Sequence, residues 1–398
     1  MISVEDAQRN VMAEVERGAE EHIVLAETLG RVLRQDIIAA DDAPAADNSA
    51  MDGYAVRFDD VAGAPVTLPV RGDIPAGYPS ATPLEPGTAM RIMTGAFVPG
   101  GADTVIQVEL TDGGTERVMV AKALPRGANI RRRGEDMRAG EVVLRAGVRI
   151  GPAEIALLAG AGQTRVAVGR RPTVAILSTG DELIDAGEAP APGRIVNSNG
   201  PMLAALVAEA GAIPRTLGIV RDTREATIAA FERAIECDFV LSSGGVSVGA
   251  YDFVKEALEA LGAESKFWRV AMKPGKPVVL SRLRDRLVFG LPGNPVSSFV
   301  SFHLFVAPAL RKALGQESRL FPPSVRARLT APLRGADRRV YARVHVAAVD
   351  GALHATPLRS QSSGALTSML DANGLAVIPE GVERAEGEVN VLLIAAVA

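Results

Sequence analysis

From residue 171 the chain alternates short apolar runs with amphipathic ones, and this rhythm restricts the fold more than any other feature. Residues 174–177 read as a buried strand, 215–220 and 239–242 as further strands, and 202–210, 224–236 and 251–261 as helices. Continuous apolar runs are strands covered on both faces, and a helix after each strand implies the parallel crossover connection. A parallel sheet with helices on its faces is expected. Ligands of such sheets bind beyond the carboxyl ends of the strands, so the chemistry is to be sought in the loops found there.

Those loops are polar and glycine-rich. Ser178-Thr179-Gly180-Asp181-Glu182-Leu183 follows the first strand, and Ser242-Ser243-Gly244-Gly245-Val246-Ser247-Val248-Gly249 follows the strand at 239–242 and opens a helix. The second loop has the context in which backbone N–H groups cradle a phosphate. Its spacing is not that of a dinucleotide fingerprint, and Ala250 and Tyr251 replace the Lys and Ser/Thr of a P-loop. Gly245-Val246-Ser247-Val248-Gly249 does match the nucleophile elbow of serine hydrolases. That reading also needs an acid and then a histidine downstream. His303, within the apolar helical run 299–306, reads as a packed core residue, and no His-Gly-Gly sequence precedes the serine. The loop is therefore read as an anion cradle.

Two further segments look built for an oxyanion. In Lys273-Pro274-Gly275-Lys276-Pro277 the prolines stiffen a loop carrying two ammonium groups. In Pro292-Gly293-Asn294-Pro295-Val296-Ser297-Ser298, Asn294 reads as an N-cap and Pro295 as the first helical residue, leaving N–H groups near Ser297 and Ser298 for an anion. Carboxylates gather beside these segments: Glu182, Asp222 after a strand, and Asp252 at a helix start. Oxyanion and carboxylates together suggest a bridging divalent cation such as Mg2+, with Glu182 and Asp222 as its ligands.

The rest of the chain reads differently. Residues 4–18 form an amphipathic helix with Val4, Ala7, Val11 and Val15 on one face, and 41–144 is rich in Pro, Gly and short β-branched runs. Residues 141–158 mix a strand and a helix that return to the unit formed by the beginning of the chain, and 323–398 alternates as a separate β segment. Within the first β region, Asp52 and Thr94 lie between glycines, and 126–136 holds Arg131, Arg132, Arg133 and Asp136, whose arginines would meet an acidic group of a ligand or another subunit. Lys+Arg 43 against Asp+Glu 47 gives a formal charge of -4, which provides no electrostatic footprint for nucleic acid or an anionic membrane. One cysteine, Cys237, excludes a disulfide framework and fits a cytoplasmic setting. The N-terminus lacks the pattern of a signal peptide, no apolar run reaches the length of a membrane span, and four histidines without a His-x-x-x-His pair exclude the usual zinc signatures.

Taken together, segments 49–56, 92–96, 130–136, 178–183, 243–249, 273–277 and 291–297 resemble, in order, the molybdopterin molybdenumtransferase family, which includes the E domain of gephyrin. The resemblance implies an elongated homodimer of α/β plus β multidomain subunits. It implies a discontinuous helical scaffold at 1–40 and 141–170, a β domain at 41–140, a parallel-sheet molybdopterin-binding domain at 171–318 and a C-terminal β domain at 319–398. It further implies magnesium-dependent insertion of molybdate into adenylylated molybdopterin with release of AMP, and a molybdopterin adenylyltransferase as partner. The implied catalytic residues are Asp52, Thr94, Asp136, Glu182, Asp222 and Asp252. The implied substrate contacts are Thr179, Gly180, Gly244, Gly245, Ser247, Lys273, Lys276, Pro292, Pro295, Ser297 and Ser363. Arg269 stands where relatives carry lysine, which keeps the charge and changes its geometry. A molybdopterin adenylyltransferase and a non-enzymatic, gephyrin-like scaffold are the alternatives. The first gives no reason for the other domains, and the retained acids and lysines argue against the second.

Overall fold

The computed structural model describes residues 1–78, 82–189, 191–246 and 253–397. Its centre is a six-stranded sheet in the order Ile213–Val220, Thr173–Thr179, Phe239–Ser243, Arg286–Leu291, Val279–Leu283, Glu264–Trp268. The first four strands are parallel, and the last two continue the sheet antiparallel. Side chains of Thr173–Thr179 alternate between two cores. Val174 and Ile176 join Leu203, Phe289 and Phe305 on one side, while Ala175 and Leu177 join Phe231, Val254 and Val288 on the other. Both faces are thus dry, which is why this strand has no polar alternation.

The N-terminal helix, Val4–Glu14, is capped by the Ser3 hydroxyl, which accepts the Asp6 N–H at 3.0 Å. It ends at Glu14, shorter than the periodicity suggested, because Val15 is extended and Gly18 turns away to donate its N–H to the Ala313 carbonyl. Val4, Ala7, Val11 and Val15 are buried in the same cluster as the parallel sheet, whereas Ile23, Leu33 and Ile37 pack with Ile150, Leu158 and Val168. The span 1–40 therefore contributes to two cores.

The chain leaves and re-enters the second of these cores. Glu20–Val24 pairs antiparallel with Arg165–Gly169, and Ile37–Ile38 with Val142–Leu144. Between them lies a five-stranded sheet with Gly53–Val56 flanked by Ala89–Ile92 and Thr104–Gln107, and with Val66–Ile74 and Arg117–Val120 beyond.

In the C-terminal region Arg339–Val349, Ala352–Pro357, Ser324–Leu329, Glu388–Leu393 and Gly374–Ile378 pair in that order. The last strand pairs back onto the first, which closes a five-stranded barrel. Met272–Lys273 adds to this barrel from outside, parallel to Arg339–Val349, so the lysine loop is stitched to the C-terminal unit. Among the described residues no helix is long and apolar enough to cross a membrane.

Candidate functional site

Four parallel strands end on one side of the central sheet, and the loops that follow them enclose a cleft of about 700 Å³. Thr179, Gly180 and Glu182 come from the first loop, Asp222 from the loop after Ile213–Val220, Gly244 and Gly245 from the glycine-rich loop, and Pro292 and Pro295 from the segment after Arg286–Leu291. Ser247 and Asp252 lie outside the described residues.

Backbone geometry demands glycine at the centre of this arrangement. Gly244 has φ +93°, and a Cβ there would lie 2.6 Å from the Thr179 carbonyl oxygen. The Gly244-Gly245 turn thus rests directly on the neighbouring strand end, bringing two of the expected contacts together.

The acids are positioned by backbone. Asp181 N–H donates to Asp222 Oδ2 at 3.2 Å, and Asp222 N–H donates to Asp181 Oδ1 at 3.3 Å, which locks the two loops to each other. Among the described residues no three histidine, cysteine or carboxylate side chains form a group able to hold a metal. Two carboxylates lining one cleft nonetheless suit Mg2+, which commonly takes one or two protein carboxylates and completes its shell with substrate phosphate and water.

The lysine loop meets the cleft through Pro277, while Lys273 and Lys276 are exposed and their side chains make no hydrogen bond or ion pair among the described residues. Gly275, at φ +99°, has no room for a side chain, since a Cβ would clash at 2.8 Å with Ser301 Oγ and at 2.7 Å with Met272 Cε. The loop therefore lies against the Pro295–Ser301 helix.

That helix begins at Pro295 as the sequence suggests, and two of its first N–H groups are already taken. The Val296 N–H donates to the Ser363 carbonyl at 3.1 Å and the Ser298 N–H to the Asn294 carbonyl at 3.0 Å. Asn294 caps through its main chain, since its side chain makes no cap hydrogen bond. Ser297 is buried, and Ser298 Oγ is taken by the Pro292 carbonyl. The N–H of Ser298 is thus not available to an anion as expected. Ser363 contributes a carbonyl to the helix, and its neighbour Gly364 lines the cleft.

Asp52, Thr94 and Asp136 do not line the cleft of their own chain. Thr94 donates both its N–H (2.7 Å) and its hydroxyl (2.8 Å) to Asp52 Oδ1, and these bonds hold the Asp52 carboxyl below its usual range. Asp136 is exposed. The nearby arginines are also used internally: Arg132 pairs with Asp47 at 2.6 Å and Arg133 with Asp42 at 2.5 Å, while Arg131 is exposed. Arg132 and Arg133 thus already have acidic partners within the chain. His303 is a core residue, edge-on to Phe299 at 4.6 Å, and burial pulls its imidazole down to about 4.

Two cleft residues escaped the sequence reading. Asn197 Oδ1 accepts the Ser178 hydroxyl and the Gly200 N–H, both at 3.0 Å, and Asn199 Nδ2 donates to Ser243 Oγ at 2.8 Å and the Gly293 carbonyl at 2.7 Å. Their signal was the Asn-Ser-Asn run before a helix, which looks like ordinary capping. A larger hollow of about 890 Å³, between residues 332–337 and 381–384 of the C-terminal region, contains no buried unpartnered polar side chain among the described residues.

Three family models match the chain: the MoeA N-terminal region (domain I and II) at residues 2–162, a "probable molybdopterin binding domain" at 175–312 and the MoeA C-terminal region (domain IV) at 326–394. The molybdopterin molybdenumtransferase of Bacillus subtilis (strain 168) is 40% identical over 99% of this chain and 94% of its own length. Molybdopterin molybdenumtransferase 2 of Mycobacterium tuberculosis (strain ATCC 25618 / H37Rv) is 41% identical over 96% of both. The crystal structure of a molybdopterin biosynthesis MoeA protein from Pyrococcus horikosii superimposes with a TM-score of 0.82 at 34% identity, covering 100% of both chains. With cleft, domain order and relatives in agreement over nearly its whole length, the chain belongs to the molybdopterin molybdenumtransferase family.

Proposed function

We propose that this protein is a molybdopterin molybdenumtransferase of molybdenum cofactor biosynthesis, inserting molybdate into adenylylated molybdopterin with release of AMP. The observation that carries this reading is the convergence of four strand-end loops on one cleft, with Glu182 and Asp222 in its wall and the loop of Lys273 and Lys276 entering through Pro277. Family membership supplies the reaction class.

Molybdate is a tetrahedral dianion, and unpaired ammonium groups on a stiff loop suit it. The Gly244-Gly245 turn, with no side chains in the way, lets a phosphate approach the backbone. Release of AMP requires water to bond through oxygen to the adenylyl phosphorus while the bridging P–O bond breaks, so that AMP carries the new oxygen, molybdopterin keeps its phosphate with the bridging oxygen, and the proton of the water is released. Asp222, which accepts the Asp181 N–H and lines the cleft, is the acid we propose to orient the nucleophile in preference to Asp136, which is outside the cleft of its own chain. Mg2+, when bound through Glu182 and Asp222, would neutralise phosphate charge as the anhydride opens. We further propose that the enzyme works as a homodimer in the cytoplasm, with Asp52 and Thr94 completing the cleft of the partner subunit, and that a molybdopterin adenylyltransferase supplies its substrate.

The test is incubation of the purified protein with adenylylated molybdopterin, Mg2+ and molybdate. AMP release that depends on all three, and product able to activate a cofactor-free molybdoenzyme, is expected. Absence of both from folded protein would overturn the reading.

A further inference from the structure

Asn199 sits at the start of the helix Asn199–Glu209, is 7% exposed and lines the cleft. Its amide cannot be turned around. Nδ2 donates to the Gly293 carbonyl at 2.7 Å and to Ser243 Oγ at 2.8 Å, and a carbonyl only accepts, so a flipped amide would set oxygen against oxygen. Oδ1 is left buried without a hydrogen-bond partner among the described residues. A buried acceptor in that condition bears its full desolvation penalty unless something in the cleft supplies a donor. The neighbouring Asn197 is no substitute, because its Oδ1 already accepts from Ser178 and Gly200. Thr179 Oγ1 is likewise unpartnered among the described residues, but a hydroxyl both donates and accepts and so imposes no sign. Asn199 does impose one.

We infer that Asn199 Oδ1 is a specificity determinant that requires an N–H donor, the amine-bearing edge of a heterocycle, and disfavours a carbonyl or phosphate oxygen at that point. The inference rests on the function proposed above, whose substrate carries two such edges, the aminopyrimidinone of its pterin and the aminopyrimidine of its adenine. A site with a fixed buried acceptor rejects analogues that lack the donor more strongly than an apolar pocket does.

The experiment measures dissociation constants of the full-length protein for two matched pairs by calorimetry: pterin against lumazine, which has a carbonyl in place of the amine, and AMP against IMP. One pair is expected to show a preference of about tenfold or more for the amine, lost in Asn199→Ala, and which pair does so identifies the ring at Asn199. Equal binding within both pairs by the wild-type protein overturns the inference while leaving the function intact, whatever the variant does. A preference that survives in a folded Asn199→Ala protein overturns it as well. Failure of all four compounds to bind counts against both this inference and the cleft as the substrate site.

Discussion

The backbone N–H of Val296 donates to the carbonyl of Ser363 at 3.1 Å, so a loop of the C-terminal barrel completes the helix that walls the cleft. That loop is held by Arg343, a fully buried arginine with no ion pair among the described residues. Its Nε donates to Ser368 Oγ at 3.0 Å, and its Nη2 donates to the Ser360 and Ser362 carbonyls at 2.8 and 3.2 Å.

Replacing Arg343 by Met should therefore loosen the loop before it unfolds the chain. The Ser360 and Ser362 carbonyls are only partly buried, so water can replace the lost donor and each lost bond costs about 0.5–1.5 kcal/mol. Denaturant titration should register the loss, and amide exchange at Val296 should accelerate. Unchanged protection of Val296 in the variant would show that Arg343 does not hold the contact.

Asp52 and Thr94 give a test of the shared site. An Asp52→Ala protein and an Asp222→Ala protein should each be inactive, and subunit exchange between them should restore part of the activity by assembling one intact cleft per heterodimer. No recovery after exchange has been demonstrated by mass would count against a site built from two subunits.

Exposed and without an ion pair among the described residues, Lys273 and Lys276 contribute little to stability, so the double alanine variant should melt within a few degrees of the parent. Losing a charge-assisted contact costs about 1.5–3 kcal/mol, roughly a tenfold to hundredfold rise in the molybdate concentration needed for half-maximal turnover. An unaltered molybdate dependence would remove these lysines from the anion site.

His303 predicts an acid limit. Burial, with a smaller contribution from the charge of Arg311, lowers its folded pKa to about 4, against 6.5 for an unperturbed imidazole. Because the unfolded chain takes up the proton first, stability should fall as pH drops from 6.5 towards 4 and level off below, by at most roughly 3 kcal/mol. Comparing unfolding free energies of the wild-type and His303→Phe proteins across that window isolates the slope. Parallel curves would show that His303 is not its source.

Much of the fold could be read from residue order. The strands expected at 174–177, 215–220 and 239–242 lie inside Thr173–Thr179, Ile213–Val220 and Phe239–Ser243, because short apolar-rich runs between turn signals leave few alternatives, even at 215–220, which forms the partly exposed edge of the sheet. The antiparallel edge, Val279–Leu283 and Glu264–Trp268, was missed because its exposed outer strand interleaves charges that resemble a loop. For the cleft, loop position alone singled out Glu182, Asp222 and the paired glycines. What stayed hidden were relations between distant segments. Nothing local shows that a serine-rich loop will accept the Val296 N–H of a helix some 67 residues earlier, or that Arg132 and Arg133 will be claimed by Asp47 and Asp42. Asn199 was overlooked because its partners, Ser243 and Gly293, come from two other strand ends.

Tyr341 and Leu375 of the C-terminal barrel are buried in the same apolar cluster as Phe289 of the central sheet and Phe305 of the helical segment packed on it, whereas Tyr54 and Val118 of the inserted β sheet belong to a cluster of their own. The sharing of one core makes barrel and sheet a single cooperative unit, while the inserted sheet is free to melt at its own temperature. Calorimetry would then record two transitions rather than one for each family region. A chain cut after residue 318 would expose the apolar surface that Tyr341 and Leu375 now cover, and it would aggregate instead of surviving as a smaller enzyme.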